Sequence, residues 1–333
     1  MKKANKLLLG GALLGTAATA ASYAVTDSMM RLALDRTAPA YMEKLQRKAP
    51  ESEELAKLRE QAAEAGERLA NTTHETVEIL SHDGLKLQGH WFEAKEPRRI
   101  LIAMHGWRSA WNRDFAMIAD FFRSEGCSVL YVEQRAQGES EGKYMGFGLL
   151  ERYDCRSWCD WVWDQFGNSL PVYLCGVSMG ASTVLMAGGS ALPENVIGIL
   201  ADCGYSSPRD IIKKVIRQLG LPAELGYPFV KLGARLYGHF DLEECSPEEM
   251  VKHCTVPVLF FHGESDDYVP CHMSRINYEA CPAKKLLVTI PGAGHGLSYL
   301  MGREAYLKAA REFFGPNASA KSVEQQAWID GRI

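Results

Sequence analysis

The sequence predicts an α/β protein built on a mostly parallel, eight-stranded sheet with helices on both faces. Three observations predict this class: short apolar runs alternate with helix-length amphipathic stretches, a hairpin pattern precedes them, and the composition is globular. Of the 333 residues, 47% are hydrophobic and 23% are charged, which excludes collagen-like, low-complexity and largely disordered chains. The length fits one large domain with an N-terminal extension.

The charge of the chain argues against nucleic-acid binding, and its cysteine spacing argues against a structural zinc site. The chain has 37 Lys and Arg against 41 Asp and Glu, a net charge of −4, so it lacks the basic field that nucleic-acid binding requires. A neutral small-molecule substrate fits better. The nine cysteines form no Cys-x-x-Cys pair and no clustered His/Cys spacing, so we expect no structural zinc and at least one free thiol.

The first 26 residues have the pattern of a signal or membrane anchor. Lys2, Lys3 and Lys6 precede an uncharged run from Leu7 to Thr26 that is long enough to cross a bilayer. A cleaved signal peptide would use the small residues 18–20, and an uncleaved single-pass anchor would place the main body outside the cell membrane. A helix buried in a soluble protein or oligomer is the third interpretation. Secreted and cytoplasmic locations therefore remain alternatives.

Residues 27–72 are rich in Glu, Lys, Arg and Ala, and Pro39 and Pro50 interrupt them. This pattern predicts short amphipathic helices that form a stalk or linker. A helix packed beside the main domain would give the same pattern.

From Thr73 the hydrophobic pattern changes to a period of two. Residues 76–80 and 85–92 flank an Asp83-Gly84 turn signal, which predicts an antiparallel hairpin at the sheet edge. Six later apolar runs predict strands of a sheet covered on both faces: residues 100–104, 129–132, 172–175, 196–200, 258–261 and 286–290. We predict a domain over residues 73–315 and a tail over 316–333.

Residues 204–245 lack the strand pattern and predict a helical cap inserted above the strand ends. Arg209–Leu219 and Pro228–Tyr237 read as amphipathic helices. The apolar side chains of this region suggest a ceiling for an acyl or aromatic substrate group: Tyr205, Leu219, Leu221, Tyr227, Phe229, Leu232 and Tyr237.

The candidate nucleophile is Ser178, in the sequence Gly-Val-Ser-Met-Gly between an apolar run and a helical pattern. A serine on so sharp a turn has a strained backbone, and glycines two places before and after it let strand and helix approach closely. In a chain with 30 glycines, the motif alone is weak evidence for a nucleophile. The surrounding sequence therefore decides whether Ser178 is one.

Three strand ends supply that context. The first carries His105-Gly106-Trp107, a later one carries Asp266 and Asp267, and the last leads into a glycine loop with His295. The order is nucleophile, acid, base. The backbone N–H groups of Trp107 and Met179 are candidates for holding a developing oxyanion.

These residues resemble the α/β-hydrolase family over about residues 73–314, and most closely its bacterial serine-aminopeptidase-like and esterase-like branch. The resemblance implies Ser178 as nucleophile, His295 as general base and then acid, and Asp266 as the carboxylate that orients the imidazole. Asp267 is the second candidate for that carboxylate. The resemblance implies no metal and no organic cofactor.

One loop departs from the family pattern Asp-x-Arg-Gly-His-Gly-x-Ser. Arg135, Gly138 and Ser140 match it, whereas Glu133 and Gln137 replace the Asp and the His. This departure puts a binding role of the loop in question, but it does not affect the triad of Ser178, His295 and Asp266. We expect Arg135 to be a structural ion-pair partner.

The sequence thus predicts a serine hydrolase that cleaves carboxylic esters or related acyl compounds through an acyl-enzyme. Its expected partners are a small acyl substrate and, through the N-terminal segment, a membrane, but no nucleic acid. A serine peptidase, aminopeptidase or acyltransferase would use the same residues. A membrane-tethered, non-catalytic binding protein on this scaffold is the alternative of another class, and it predicts a broken triad.

Overall fold

The computed structural model describes residues 22–37 and 53–315. The sheet consists of β1 Glu75–Leu80, β2 Lys86–Phe92, β3 Arg99–Met104, β4 Cys127–Val132, β5 Val172–Val177, β6 Val196–Asp202, β7 Val258–Gly263 and β8 Lys285–Ile290. The helices, after a helical segment over residues 22–33, are α1 Glu53–Ala70, α2 Trp111–Asp114, α3 Ala119–Ser124, α4 Glu151–Phe166, α5 Met179–Gly188, α6 Pro208–Gln218, α7 Ala223–Gly233, α8 Pro247–Val251, α9 His272–Ala280, α10 Ser298–Met301 and α11 Arg303–Phe314.

The eight strands form one sheet in the order β1-β2-β4-β3-β5-β6-β7-β8. The first two pairings, β1 with β2 and β2 with β4, are antiparallel, and the remaining pairings are parallel. The predicted fold class and the hairpin at the sheet edge are confirmed. The parallel connections bring the carboxyl ends of β5, β6, β7 and β8 to one edge of the sheet, where ligands bind in folds of this kind.

Helices cover both faces of the sheet, so the central strands β3 and β4 are buried along their whole length. On one face α4 and α5 pack through side chains such as Trp158 and Leu185. On the other face Leu69 of α1, Phe122 of α3 and Phe314 of α11 form a second apolar core. Runs that are apolar on both sides of the strand therefore reflect burial on both faces.

The cap between β6 and β7 is helical, as predicted, but its second helix begins earlier than the sequence indicates. Pro228 lies inside α7, and residues 234–238 continue it as a π-helical turn. A proline is expected at the first position of a helix, where its missing N–H costs nothing. Here Ala223, Tyr227 and Val230 are all buried, and this apolar face stabilises the turn that precedes the proline.

The segments before the sheet pack against the body of the protein. Met30 and Leu34 of residues 22–37, which we call the N-terminal arm, are 1% and 0% exposed, and Leu69 of α1 is 4% exposed. These parts of the predicted stalk are therefore packed beside the main domain, the arrangement that the sequence left open.

The predicted anchor falls mostly outside the described residues, which begin at residue 22. Within residues 22–37 and 53–315, none of the helices combines the length and the apolar character that crossing a bilayer requires. The predicted tail, residues 316–333, also lies outside the described part.

Candidate active site

The strand-turn-helix around Ser178 is held by close backbone contacts. Ser178 has φ 55° and ψ −115° at the N-terminus of α5, and its N–H donates to the carbonyl of Asp202 at 2.8 Å. A Cβ on Gly180 would lie 1.8 Å from the carbonyl oxygen of Met104, and one on Gly176 would lie 2.3 Å from backbone atoms of Gly180. Only glycine fits at these two positions, which is the reason for the motif.

Three distant side chains meet at this turn. The Oγ of Ser178 lies 2.9 Å from Nε2 of His295. The Nδ1 of His295 lies 2.7 Å from Oδ2 of Asp266. The Asp266 side chain is fully buried, whereas the His295 ring is 26% exposed, so solvent reaches this hydrogen-bonded chain at the imidazole.

The surroundings of Asp266 favour its ionised form. Its Oδ1 accepts hydrogen bonds from the backbone N–H groups of Tyr268 at 2.9 Å and Val269 at 2.8 Å. Burial raises the pKa of Asp266, but hydrogen bonds from His262 and His295 outweigh burial and bring that pKa to about 2. Asp266 is therefore a carboxylate at neutral pH.

The neighbouring candidate, Asp267, lies elsewhere. It is exposed, and its backbone carbonyl accepts a hydrogen bond from the Gln218 side chain of the cap at 2.8 Å. The structure thus brings Asp266 to His295 and turns Asp267 toward the cap.

His262 and Asp202 belong to this site although the sequence did not single them out for a role in it. The Nε2 of His262 donates to the Val269 carbonyl at 2.8 Å and lies 3.3 Å from Oδ2 of Asp266. Buried Asp202 accepts a hydrogen bond from the hydroxyl of Ser298 at 2.8 Å, just after the His295 loop, and burial raises its pKa. Asp202 ends β6 and His262 lies near the end of β7, the next two strands of the sheet after β5. The turn at residues 176–180, which we call the elbow, begins at the end of β5, and this shared position at the strand ends is the signal that could have identified both residues.

The loop after β3 lies against the nucleophile. A Cβ on Gly106 would come within 3.4 Å of the Ser178 Cβ, and the Gly106 N–H donates to the carboxylate of Asp114 at 2.7 Å. Trp107 follows directly. Met179 is the first residue of α5, where helix N–H groups have no intrahelical acceptor.

Aromatic rings lie between this loop and the cap. The Trp107 and Phe147 ring centroids are 6.3 Å apart, and Phe147 and Tyr205 are 6.2 Å apart. Leu221 and Leu232, however, are 44% and 43% exposed. These two are not part of an apolar ceiling, because they lie on the outer surface of the cap.

Two groups of potential metal ligands occur among the described residues. Cys203, Asp266 and His295 form one, which overlaps the serine-histidine-aspartate arrangement, and burial raises the pKa of the Cys203 thiol well above its usual value. In the other, Asp83 and Asp154 both accept hydrogen bonds from Arg135. The predicted structural ion pair explains the second group without an ion.

Comparisons with known proteins agree with this architecture. The family model described as serine aminopeptidase, S33, matches residues 95–218. The Pyrococcus furiosus esterase Pf2001 is 25% identical with a TM-score of 0.57, over 73% of this chain and 93% of the esterase. The chain has the α/β-hydrolase fold and is similar to serine hydrolases of that fold.

Its sequence relatives are distant. The uncharacterized protein YqkD of Bacillus subtilis is 27% identical over 193 residues, which cover 58% of this chain and 63% of YqkD. The lysophosphatidylserine lipase ABHD12 of Mus musculus is 25% identical over 248 residues, 68% of this chain and 58% of the lipase. In both pairs the match spans about three fifths of the relative.

Proposed function

We propose that this protein of the α/β-hydrolase fold cleaves carboxylic esters or related acyl compounds through an acyl-serine intermediate. The observation that carries the proposal is the unbroken chain of hydrogen bonds from Ser178 through His295 to Asp266, at 2.9 and 2.7 Å. A non-catalytic binding protein on the same scaffold has no need of this geometry.

Acylation begins when the Ser178 Oγ attacks the substrate carbonyl carbon and His295 Nε2 takes the hydroxyl proton. The carbonyl π electrons move to oxygen, and we assign the backbone N–H groups of Trp107 and Met179 to hold that oxyanion. Collapse of the tetrahedral intermediate breaks the bond to the leaving group, which receives the proton from His295.

Deacylation repeats the steps with water as the nucleophile. His295 removes a proton from water, the hydroxide attacks the acyl carbon, and release of the acid returns the proton to Ser178. Because the pKa of Asp266 is about 2, its carboxylate stays ionised and stabilises the imidazolium that forms twice in each cycle.

The apolar wall beside the site supports an acyl substrate. Trp107, Phe147 and Tyr205 follow one another at ring distances near 6 Å, and aromatic side chains of this kind favour apolar ligand groups. Similar proteins include an esterase and a lysophosphatidylserine lipase by name. The serine-aminopeptidase name of the family model keeps amide substrates as the second candidate.

A fluorophosphonate probe tests the nucleophile directly. We expect labelling of the full chain and its loss in Ser178→Ala, together with a fall in ester hydrolysis of about 10³-fold or more. Ser190→Ala is the matched control, because Ser190 is an exposed serine beyond the other end of α5. Labelling that survives in Ser178→Ala, or that is absent from the folded wild type, would contradict the proposal.

A substrate series then separates the two candidates. We expect faster hydrolysis of p-nitrophenyl esters than of aminoacyl amides, with a dependence on acyl length that reflects the apolar wall. Faster hydrolysis of the amides would replace the esterase assignment by a peptidase assignment and leave the mechanism unchanged.

We also propose that residues 1–26 attach the enzyme to the cell membrane, with the main body outside. The three lysines before the uncharged run support this, as do exposed apolar side chains on the arm and cap: Tyr23 at 61%, Leu225 at 69% and Leu236 at 55%. Leu13→Arg together with Leu14→Arg in the full chain should move the enzyme out of the membrane fraction. Digestion of the enzyme by a protease added to intact cells would support the outer orientation.

A further inference from the structure

The N-terminal arm is attached to the cap by close packing. Met29 and Met30 are 9% and 1% exposed. They lie over two glycines of α7, where a Cβ on Gly226 would come 3.2 Å from Met29 Cε and one on Gly233 would come 2.9 Å from Met30 Cβ. The absence of side chains at these positions lets the arm approach the cap helix closely.

The end of the arm helix is bound to the loop that follows β3. The indole N–H of Trp107 donates to the Ala33 carbonyl at 2.9 Å. The Arg108 guanidinium donates to the carbonyls of Arg31 at 2.8 Å, Leu32 at 3.1 Å and Asp35 at 2.9 Å. Carbonyls at a helix C-terminus lack intrahelical partners and carry partial negative charge. A guanidinium satisfies several of them at once.

A second set of backbone contacts fixes the arm beyond the helix. Asp35 forms an antiparallel β-bridge with Tyr144. The Arg36 N–H donates to the Lys143 carbonyl at 2.8 Å, and the Met145 N–H donates to the Leu34 carbonyl at 2.7 Å. The arm is therefore held on two sides and forms a firm support for Trp107 and Arg108.

The backbone at Arg108 needs such support. Arg108 has φ 49°, a left-handed conformation that costs energy in a non-glycine residue and persists only where the surroundings enforce it. The support comes from the hydrogen bonds that Arg108 itself and the side chain of Trp107 donate to the arm. The conformation of this loop also sets the direction of the Trp107 N–H, one of the two amides proposed for the oxyanion.

We infer that the N-terminal arm is a positioning element for the loop that follows β3, residues 105–108, which we call the oxyanion loop. The arm acts through Trp107 and Arg108. The inference rests on the proposed function and adds to it a part of the chain that lies well before the hydrolase motifs. Because the oxyanion forms in the transition state and the tetrahedral intermediate and is absent from the bound substrate, a misplaced amide lowers kcat and leaves substrate binding nearly unchanged.

The test compares arm contacts that reach the oxyanion loop with arm contacts that do not. Trp107→Phe keeps an aromatic ring and removes the indole donor, and Arg108→Ala removes three hydrogen bonds. Arg36→Gln is the control, because Arg36 binds the arm to the carbonyls of Gly138 and Ser140. All are measured in the full chain, with kcat, KM, the rate of fluorophosphonate labelling and the melting temperature.

We expect kcat and the labelling rate to fall about tenfold to a hundredfold in Trp107→Phe and Arg108→Ala, with KM within about twofold of wild type. Arg108→Lys should recover part of the loss, since it keeps a cation near the same carbonyls. Arg36→Gln should lower the melting temperature without lowering kcat.

Equal kcat values in all four variants and the wild type would overturn the inference, as would losses of kcat that simply follow the melting temperature, including in Arg36→Gln. If Trp107→Phe does not fold, Arg108→Lys and Arg108→Ala still decide. Failure of the wild type to label would instead reject the proposed function itself, which is a different result from normal labelling with unaffected variants.

Discussion

The elbow and the arm both serve the same catalytic centre, but they are built in opposite ways. At the elbow, the residues of the motif are neighbours in sequence: Gly176, Ser178 and Gly180 lie within five residues, and backbone atoms of α5 and of the end of β3 leave no space for a side chain at either glycine. At the arm, residues 31–35 meet Trp107 and Arg108 across more than 70 positions of sequence, through polar contacts to carbonyl groups.

This difference separates a fixed part of the site from an adjustable part. Contacts between backbone atoms cannot relax, because neither partner can move without breaking the sheet. Contacts made by long side chains such as Arg108, Met29 and Met30 adapt by changing rotamer. We therefore expect substitutions at the elbow to affect folding, and loss of the Trp107 and Arg108 contacts to the arm to affect rate.

The largest predicted effect is that of Gly180→Ala. The new Cβ would overlap the Met104 carbonyl at 1.8 Å and approach the His105 carbonyl at 2.7 Å, so strand β3 and helix α5 would have to separate. We expect a loss of more than about 3 kcal/mol of unfolding free energy, or no folded protein, measured by urea unfolding.

Gly226→Ala is the same change on the arm side and is the matched comparison. Its nearest neighbours would be side-chain atoms rather than backbone atoms, Met29 Cε and Ile216 Cγ2, both at 3.2 Å, and alanine favours a helix by up to about 1 kcal/mol. We expect unchanged activity and an unfolding free energy within about 1 kcal/mol of wild type. A Gly226→Ala variant as damaged as Gly180→Ala would show that the arm and cap contact is as rigid as the elbow.

The sequence alone could predict the elbow because its motif lies within one short stretch of the chain. A serine between two glycines, placed between an apolar run and a helix, already implies the sharp turn. The order of Ser178, Asp266 and His295 at successive strand ends then predicts which side chains meet, since parallel strands bring their carboxyl ends to one edge.

The same reasoning could not predict the arm. Residues 27–72 predict short amphipathic helices, either a stalk or helices packed beside the main domain. Periodicity does not indicate that Arg108 binds carbonyls of this segment, because any backbone offers carbonyls. The start of α7 was misjudged for a related reason: Pro228 is a local signal, whereas burial of Tyr227 and Val230 depends on what packs above them. Tertiary contacts between distant segments determine these features.

The next largest effect distinguishes the two neighbouring carboxylates. Asp266→Asn should lower kcat by about 10³ to 10⁴-fold, because an amide stabilises neither the correct tautomer nor the imidazolium. Asp267→Asn should leave kcat within about twofold, since Asp267 is exposed and its backbone meets the cap through Gln218. Both variants are compared by steady-state ester hydrolysis. A larger loss in Asp267→Asn than in Asp266→Asn would reverse the assignment of the acid.

The smallest predicted effect is the pH dependence of stability, which again differs between the site and the cap. Hydrogen bonds from His262 and His295 outweigh burial and lower the pKa of Asp266 from an ordinary 3.8 to about 2. A carboxyl with a lowered folded-state pKa stabilises the fold above its unfolded pKa, and that stabilisation is lost as the pH falls from about 4 to about 2. For this buried group it is on the order of 2 kcal/mol.

In the cap, the hydrogen bond from Arg235 lowers the pKa of Asp241, but both partners are partly exposed, at 55% and 34%. Such an exposed pair contributes little to stability, because solvent screens the two charges. Urea unfolding at pH 5 and pH 2.5 of the wild type, Asp266→Asn and Asp241→Asn measures both contributions. The stability difference between wild type and Asp266→Asn should shrink on acidification, and that of Asp241→Asn should stay nearly constant. Equal pH dependence in the two variants would mean that the carboxylate of the site is no better held than one on the surface of the cap.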